Sequence, residues 1–169
     1  GNWKSVRKII AVSGCVGDQI VNEHAHEKVR VLYNPVDVEK YANGDAKKII
    51  AELEAKLGRK LWRAKIVTQI GAITRNKRQD VLISVISNLK NLGEDIVGLI
   101  VGDTVTAADR IFRRELEQRI EDCGIQSQVL WMGFRSDIGN ILAATDCVLV
   151  PSEEGLSLVA MEAMSAKRQ

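Results

Sequence analysis

The sequence predicts an α/β fold built on a Rossmann-like, doubly wound parallel sheet with helices on both faces. Three observations carry that expectation. Apolar runs recur at 65–70, 96–101, 129–132 and 147–150. Each is closed by a residue that ends strands, namely Gly71, Gly102, Gly133 and Pro151. Between the runs lie amphipathic helical patterns of about ten to seventeen residues. Strand–helix alternation of this kind makes βαβ units, and right-handed crossovers fix the winding.

Taken in order, 6–12 is a short apolar run read as a strand, and Ser13-Gly14 opens a weak helix through Val21. His24 and His26 fall in a polar stretch with no third metal ligand nearby, so it reads as a solvated loop. The β-branched stretch 28–33 is a strand, and Asn34-Pro35 is a turn. Asp45 or Gly44 starts a helix to Leu57, with Ile49, Ile50, Leu53 and Leu57 on one face and Gly58 at its end. After the strand 65–70 and the basic loop 71–78, a helix over 79–92 carries Val81, Leu82, Val85, Ile86 and Leu89 as its stripe, capped by Gly93. The run 96–101 is apolar throughout, as in a central parallel strand. The charged helix 107–123 turns Ile111, Leu116 and Ile120 inward, and Ser136-Asp137 cap a helix through Leu142. In the common strand order, the strands 65–70 and 147–150 are neighbours at the switch point. Ligands of such sheets bind outside the carboxyl ends there.

Composition narrows the function. The chain has 169 residues, 46% hydrophobic and 27% charged, enough for a domain with a core. A net charge of +2 gives no argument for nucleic acid or an anionic membrane. The three cysteines lack metal-ligand spacing and read as small buried residues of a reducing compartment. No apolar run reaches spanning length and no secretory leader is recognisable, so the expectation is a cytoplasmic protein. The chain begins with Gly1 and stops directly after a helix, which suggests a piece of a longer protein.

The most informative stretch is 147–164. A buried strand is followed by a polar loop, and Ser157 is suited to N-cap a helix that is apolar almost all round. One turn into that helix stands Glu162, a carboxylate that burial would penalise unless something pairs with it. A ligand's hydroxyl pair and a structural Arg or Lys are the two candidates. The loop 71–77 supplies Arg75 and Lys77, and a helix N-terminus near 155–159 favours phosphate oxygens. Phosphate plus polyol describes a nucleotide sugar. Taken one by one, Arg75 and Lys77 read more simply as ordinary surface charge, and for Glu162 the structural and ligand-binding readings stand near even. The dinucleotide fingerprint, the P-loop and the hydrolase elbow are all absent.

Pro151-Ser152-Glu153-Glu154-Gly155-Leu156-Ser157, continuing through Glu162-Ala163-Met164, resembles the signature of the group 1 (family 4) glycosyltransferases, in which seven residues separate two glutamates. Ala11-Val12-Ser13 is similar to the segment that ends the family's N-terminal domain. Val31 to Asp37 resembles "v-i-x-N-G-V-D", with Pro35 in place of Gly. Gly71 to Leu82 resembles "G-R-x-x-x-x-K-G-x-d-x-L". Ile100 to Asp103 and Val129 to Arg135 are similar to "i-v-G-d-G" and "V-x-f-l-G-f-r".

The resemblance implies the C-terminal, donor-binding half of a GT-B fold, stopping before the family's next "G-x-P-V" strand. Residues 1–30 would be the end of the N-terminal domain or an inter-domain segment, and 31–169 an incomplete nucleotide-sugar-binding domain. It implies Glu154 as the catalytic residue on the transferred sugar and Glu162 on the ribose hydroxyls. Lys77 would hold the diphosphate, with Arg75 standing in for the family arginine that is Ala72 here. Gly71 and the backbone of Gly155, Leu156, Ser157 and Leu158 would complete the donor site. The family transfers a hexosyl group with retention and without a metal or other cofactor, so basic residues and the helix dipole would stabilise the leaving diphosphate. The partners implied are a UDP- or GDP-sugar and a glycan or lipid-linked acceptor, with peripheral membrane association of the longer protein; this chain alone would bind donor without catalysing transfer. The alternatives are a GT-B epimerase, a glycogen or starch synthase relative, and a non-catalytic Rossmann-like interaction module.

Overall fold

A computed structural model of the chain describes residues 5–23, 26–152 and 154–168. The chain forms two compact units, one of residues up to Val36 together with Glu154–Leu158, the other of 37–153 together with 159–169.

In the first unit, Ile9–Ala11 (β1) and Val29–Val31 (β2) pair in parallel, Ile9 opposite Val29. The helix Gly14–Glu23 (α1) makes the crossover. Its first turn is capped as expected, the Val16 amide donating to Ser13 Oγ at 3.3 Å. Both strands are shorter than the apolar runs suggested. β2 pairs with β1, and this compact unit runs through Val36. His24 lies outside the described residues, and His26 opens a 3-10 turn.

The second unit holds a four-stranded parallel sheet of Lys65–Ile70 (β3), Ile96–Val101 (β4), Val129–Gly133 (β5) and Cys147–Val148 (β6). Their order is β5-β4-β3-β6, so β3 and β6 are neighbours, with Val67 opposite Cys147. Alternation along β4 explains the two cores. Ile96 and Ile100 face one side, where Gln79–Asn91 (α4) and Ala107–Asp122 (α5) contribute Leu82, Ile86, Phe112 and Leu116. Val97, Leu99 and Val101 face the other, packing on Ile49 and Leu53 of Ala46–Leu57 (α3) and on Ile141 of Ile138–Ala144 (α6). Gly98 is required because a Cβ there would lie 2.8 Å from Ile86 Cγ1.

Several local expectations change. In α5 the inward residue is Phe112, while Ile111 is half exposed. A four-residue step returns to within about 40° of the same face, whereas the five-residue step from 111 to 116 misses it by about 140°. In α4, Ile83 joins Leu82 and Ile86 in the core, while Val81 and Val85 are only partly covered. Asp137 precedes α6 without capping it, since its carboxylate is taken by Arg135. Cys15 and Cys123 are exposed and Cys147 half-buried, not core residues. A short helix, Val38–Ala42 (α2), capped by Asp37, stands where no element was expected. The last helix, Leu158–Ser165 (α7), buries Ala163 fully but leaves Leu158 and Met164 exposed, so its uniform apolarity does not mean uniform burial.

Candidate functional site

The carboxyl ends of β3, β4 and β5 meet in a crevice of about 430 Å³. Its floor is main chain. Gly71 (φ 146°) donates its amide to the Val101 carbonyl at 2.9 Å, and Gly102 (φ 140°) donates to the Gly133 carbonyl at 2.8 Å. A Cβ on Gly102 would lie 2.0 Å from the Gly71 oxygen, so the two backbones touch where no side chain fits. The walls are largely apolar, with Ala72, Val105, Phe134 and Ile138 among them. Val105 and Phe134 expose most of their surface at the mouth. The result is an apolar-walled crevice with main chain at its base.

The loop leaving Gly71 is held from beneath by two buried glutamines. Gln79 Nε2 donates to the Ala72 carbonyl at 2.9 Å, and Gln69 Nε2 donates to the Lys77 carbonyl. The loop closes in a 3-10 turn, Arg75–Lys77, after which Arg78 takes a left-handed conformation (φ 55°) where the family pattern has glycine. The Lys77 stem runs within 3.7 Å of the position of a Gly71 Cβ, which brings those two predicted residues together. Arg75 is directed elsewhere. Its Nη2 donates to both oxygens of Glu115 at 2.7 Å, and its guanidinium lies over the Phe112 ring at 5.0 Å, so it is fastened to α5.

Arg135, at the rim of the crevice, is also fully engaged. It donates to both oxygens of Glu52 at 2.9 Å and pairs with Asp137 through Nε and Nη2 at 2.8 and 2.9 Å. The guanidinium holds the Asp137 carboxyl down to about 2, outweighing the opposing effect of burial. It ties α3 to the start of α6 and so fixes one wall.

Glu162, on α7, is half-buried, and its partner within the chain is a tyrosine in place of the structural Arg or Lys considered above. Tyr41, on α2, donates its hydroxyl to Glu162 Oε1 at 2.7 Å. That hydrogen bond, with burial, pushes the phenol up to about 12. Sequence reasoning missed Tyr41. The signal for it was Asp37, an N-cap residue directly after a turn.

Glu154, Gly155, Leu156, Ser157 and Leu158 belong to the first unit. Glu154 and Gly155 are exposed, Leu156 and Ser157 half-buried, and Ser157 immediately precedes α7. Gly155 lies against α1 so closely that a Cβ would meet Val16 Cγ2 at 2.3 Å.

A parallel sheet with a main-chain-floored crevice at its strand ends defines the class as a Rossmann-like domain. The family described as Glycosyl transferases group 1 matches residues 52–168, and the chain belongs to that family. It is 31% identical over 147 residues to the Escherichia coli UDP-Gal:alpha-D-GlcNAc-diphosphoundecaprenol alpha-1,3-galactosyltransferase, covering 82% of this chain and 34% of that protein. Among solved structures, Anabaena HepE in complex with UDP superimposes with a TM-score of 0.82 at 25% identity, over 96% of this chain and 43% of HepE. HepE is also known with UDP-glucose. A glycosyltransferase from Rickettsia africae shares the fold, with a TM-score of 0.82 at 22% identity, over 98% of this chain and 45% of that one. The chain thus spans about a third of the curated relative it matches.

Proposed function

We propose that this chain is the donor-binding half of a glycosyltransferase that moves a hexosyl group from a nucleotide diphosphosugar to a glycan or lipid-linked acceptor, with retention and without a metal. The observation that carries the reading is the crevice at the ends of β3, β4 and β5, with the Lys77 loop rising from its floor. Its apolar walls suit a nucleobase. Lys77 is assigned to the diphosphate and Glu162 to the ribose hydroxyls. Glu154 is assigned to the transferred sugar, and the backbone of 155–158 to sugar and phosphate. Arg75, fastened to Glu115, would have to leave that pair to reach a phosphate. Complexes of HepE with UDP and UDP-glucose support a uridine donor. The acceptor would be bound by parts of a longer protein, whose place is the cytoplasm, with or without peripheral membrane contact.

Isothermal titration of UDP and GDP against the chain tests the reading. Binding of one of them is expected. Glu162→Ala should weaken it about tenfold, the loss of hydrogen bonds to a charged acceptor. Failure of both nucleotides to bind would sink the proposal. Unchanged affinity in Glu162→Ala would reduce Glu162 to a structural residue.

A further inference from the structure

We infer that Tyr41 is a positioning residue for donor recognition: its hydroxyl orients the Glu162 carboxylate so that the remaining oxygen is presented to the ribose. This rests on the assignment of Glu162 to the ribose hydroxyls. The O–H···O contact of 2.7 Å is in the range of charge-assisted hydrogen bonds, which are shorter and stronger than neutral ones. An ionised carboxylate offers about four acceptor sites, and a single phenol occupies one of them. Among the described residues, Oε2 and a lone pair of Oε1 remain.

Both partners are held by the same neighbour. The chain around Tyr41 is pressed onto α6, where a Cβ on Gly44 would lie 1.9 Å from the Gly139 oxygen and one on Gly139 would lie 2.8 Å from the Lys40 oxygen. The Asp45 amide donates to Asn140 Oδ1 at 2.8 Å, which ties the following residue to α6 as well. Beyond the other end of the pair, Arg168 Nη2 donates to the Ala143 carbonyl at 2.6 Å, fixing the chain after α7. Tyr41 itself is only 8% exposed, so its ring has little freedom to swing away. With the main chain on both sides fixed, the hydrogen bond restricts the rotations left to the Glu162 side chain. Pre-ordering of this kind lowers the entropy that ligand binding must otherwise overcome.

The choice of partner matters chemically. A lysine or arginine would neutralise Glu162 and weaken it as an acceptor for hydroxyl groups. A phenol orients the carboxylate and leaves its charge intact. With the phenol pushed up to about 12, Tyr41 stays a donor across the neutral range.

The test measures the affinity of UDP and GDP and of their 2′,3′-dideoxy counterparts for wild type, Glu162→Ala and Tyr41→Phe, with thermal melting of each. Wild type should prefer the ribonucleotide, and Glu162→Ala should lose the preference. Tyr41→Phe, which keeps the packed ring, should cut the preference about fivefold, the effect of one ordinary hydrogen bond. A merely structural tyrosine would lower the melting temperature and leave the preference at the wild-type ratio, which overturns the inference while the donor reading stands. Loss of preference in neither variant overturns the role of Glu162 and the inference together. A wild type that binds neither ribonucleotide overturns the donor reading itself.

Discussion

Two arginines follow the glycine-closed ends of strands in this sheet, and they have opposite places in the structure. Arg75, after β3, lies on the surface. Its side chain is 69% exposed and its partner Glu115 is 48% exposed. Arg135, after β5, is 18% exposed and sits between Glu52 and Asp137, both also largely covered. An exposed pair gains little, because water screens it and two long side chains lose freedom to form it. A covered guanidinium that satisfies two carboxylates is different, since removing it strands both in a poorly solvated place. The lesson is that a basic residue beside a candidate phosphate site is not thereby a phosphate ligand. What already holds it in the fold decides whether it is available.

That contrast breaks most readily at Arg135. Arg135→Ala should lower stability by about 2 kcal/mol, less than a fully buried pair because the site is partly open to water, and urea unfolding would measure it. Little loss would mean that Glu52 and Asp137 find water as good a partner. A second, smaller effect is acid dependence. Unfolded, Asp137 takes up its proton near pH ~3.9; folded, it holds out to about 2. The unfolded state therefore binds the proton first as pH falls. The stability difference between wild type and Arg135→Ala should be whole above about pH 4 and shrink as pH falls toward 2. Urea midpoints for the two proteins across that window would show the narrowing, and a constant gap would separate the pair from Asp137. Smallest of all, Arg75→Ala should change stability by no more than about 0.5 kcal/mol. A larger loss would place Arg75, through Phe112, among the residues that hold α5.

The same distinction explains what was legible in the sequence. The strands 65–70 and 96–101 fall where the apolar runs put them, because burial on both faces leaves an unbroken signature. The helix after Asp45 begins and ends at its predicted caps, since an N-cap carboxylate and a left-handed glycine are local chemistry. The neighbouring strands at the switch point followed from winding rules. Long-range pairing was not legible. Glu162 announced that it needed a partner, yet Tyr41 lies 121 residues away on a helix of five residues, too short to show a period. Gln69 and Gln79 look like ordinary polar residues until the loop above them is seen to need donors for its carbonyls. Phe112 and Ile111 are adjacent apolar residues in a highly charged helix, and only the helical angle to Leu116 and Ile120 tells which of them turns inward.

The exposed thiols have a practical consequence. Cys15 belongs to one compact unit and Cys123 to the other, while Cys147 is partly shielded. Maleimide dyes would reach the first two more readily than the third. The chain therefore carries an exposed attachment point for a fluorophore on each unit, so a dye at either thiol can report the unfolding of that unit by itself.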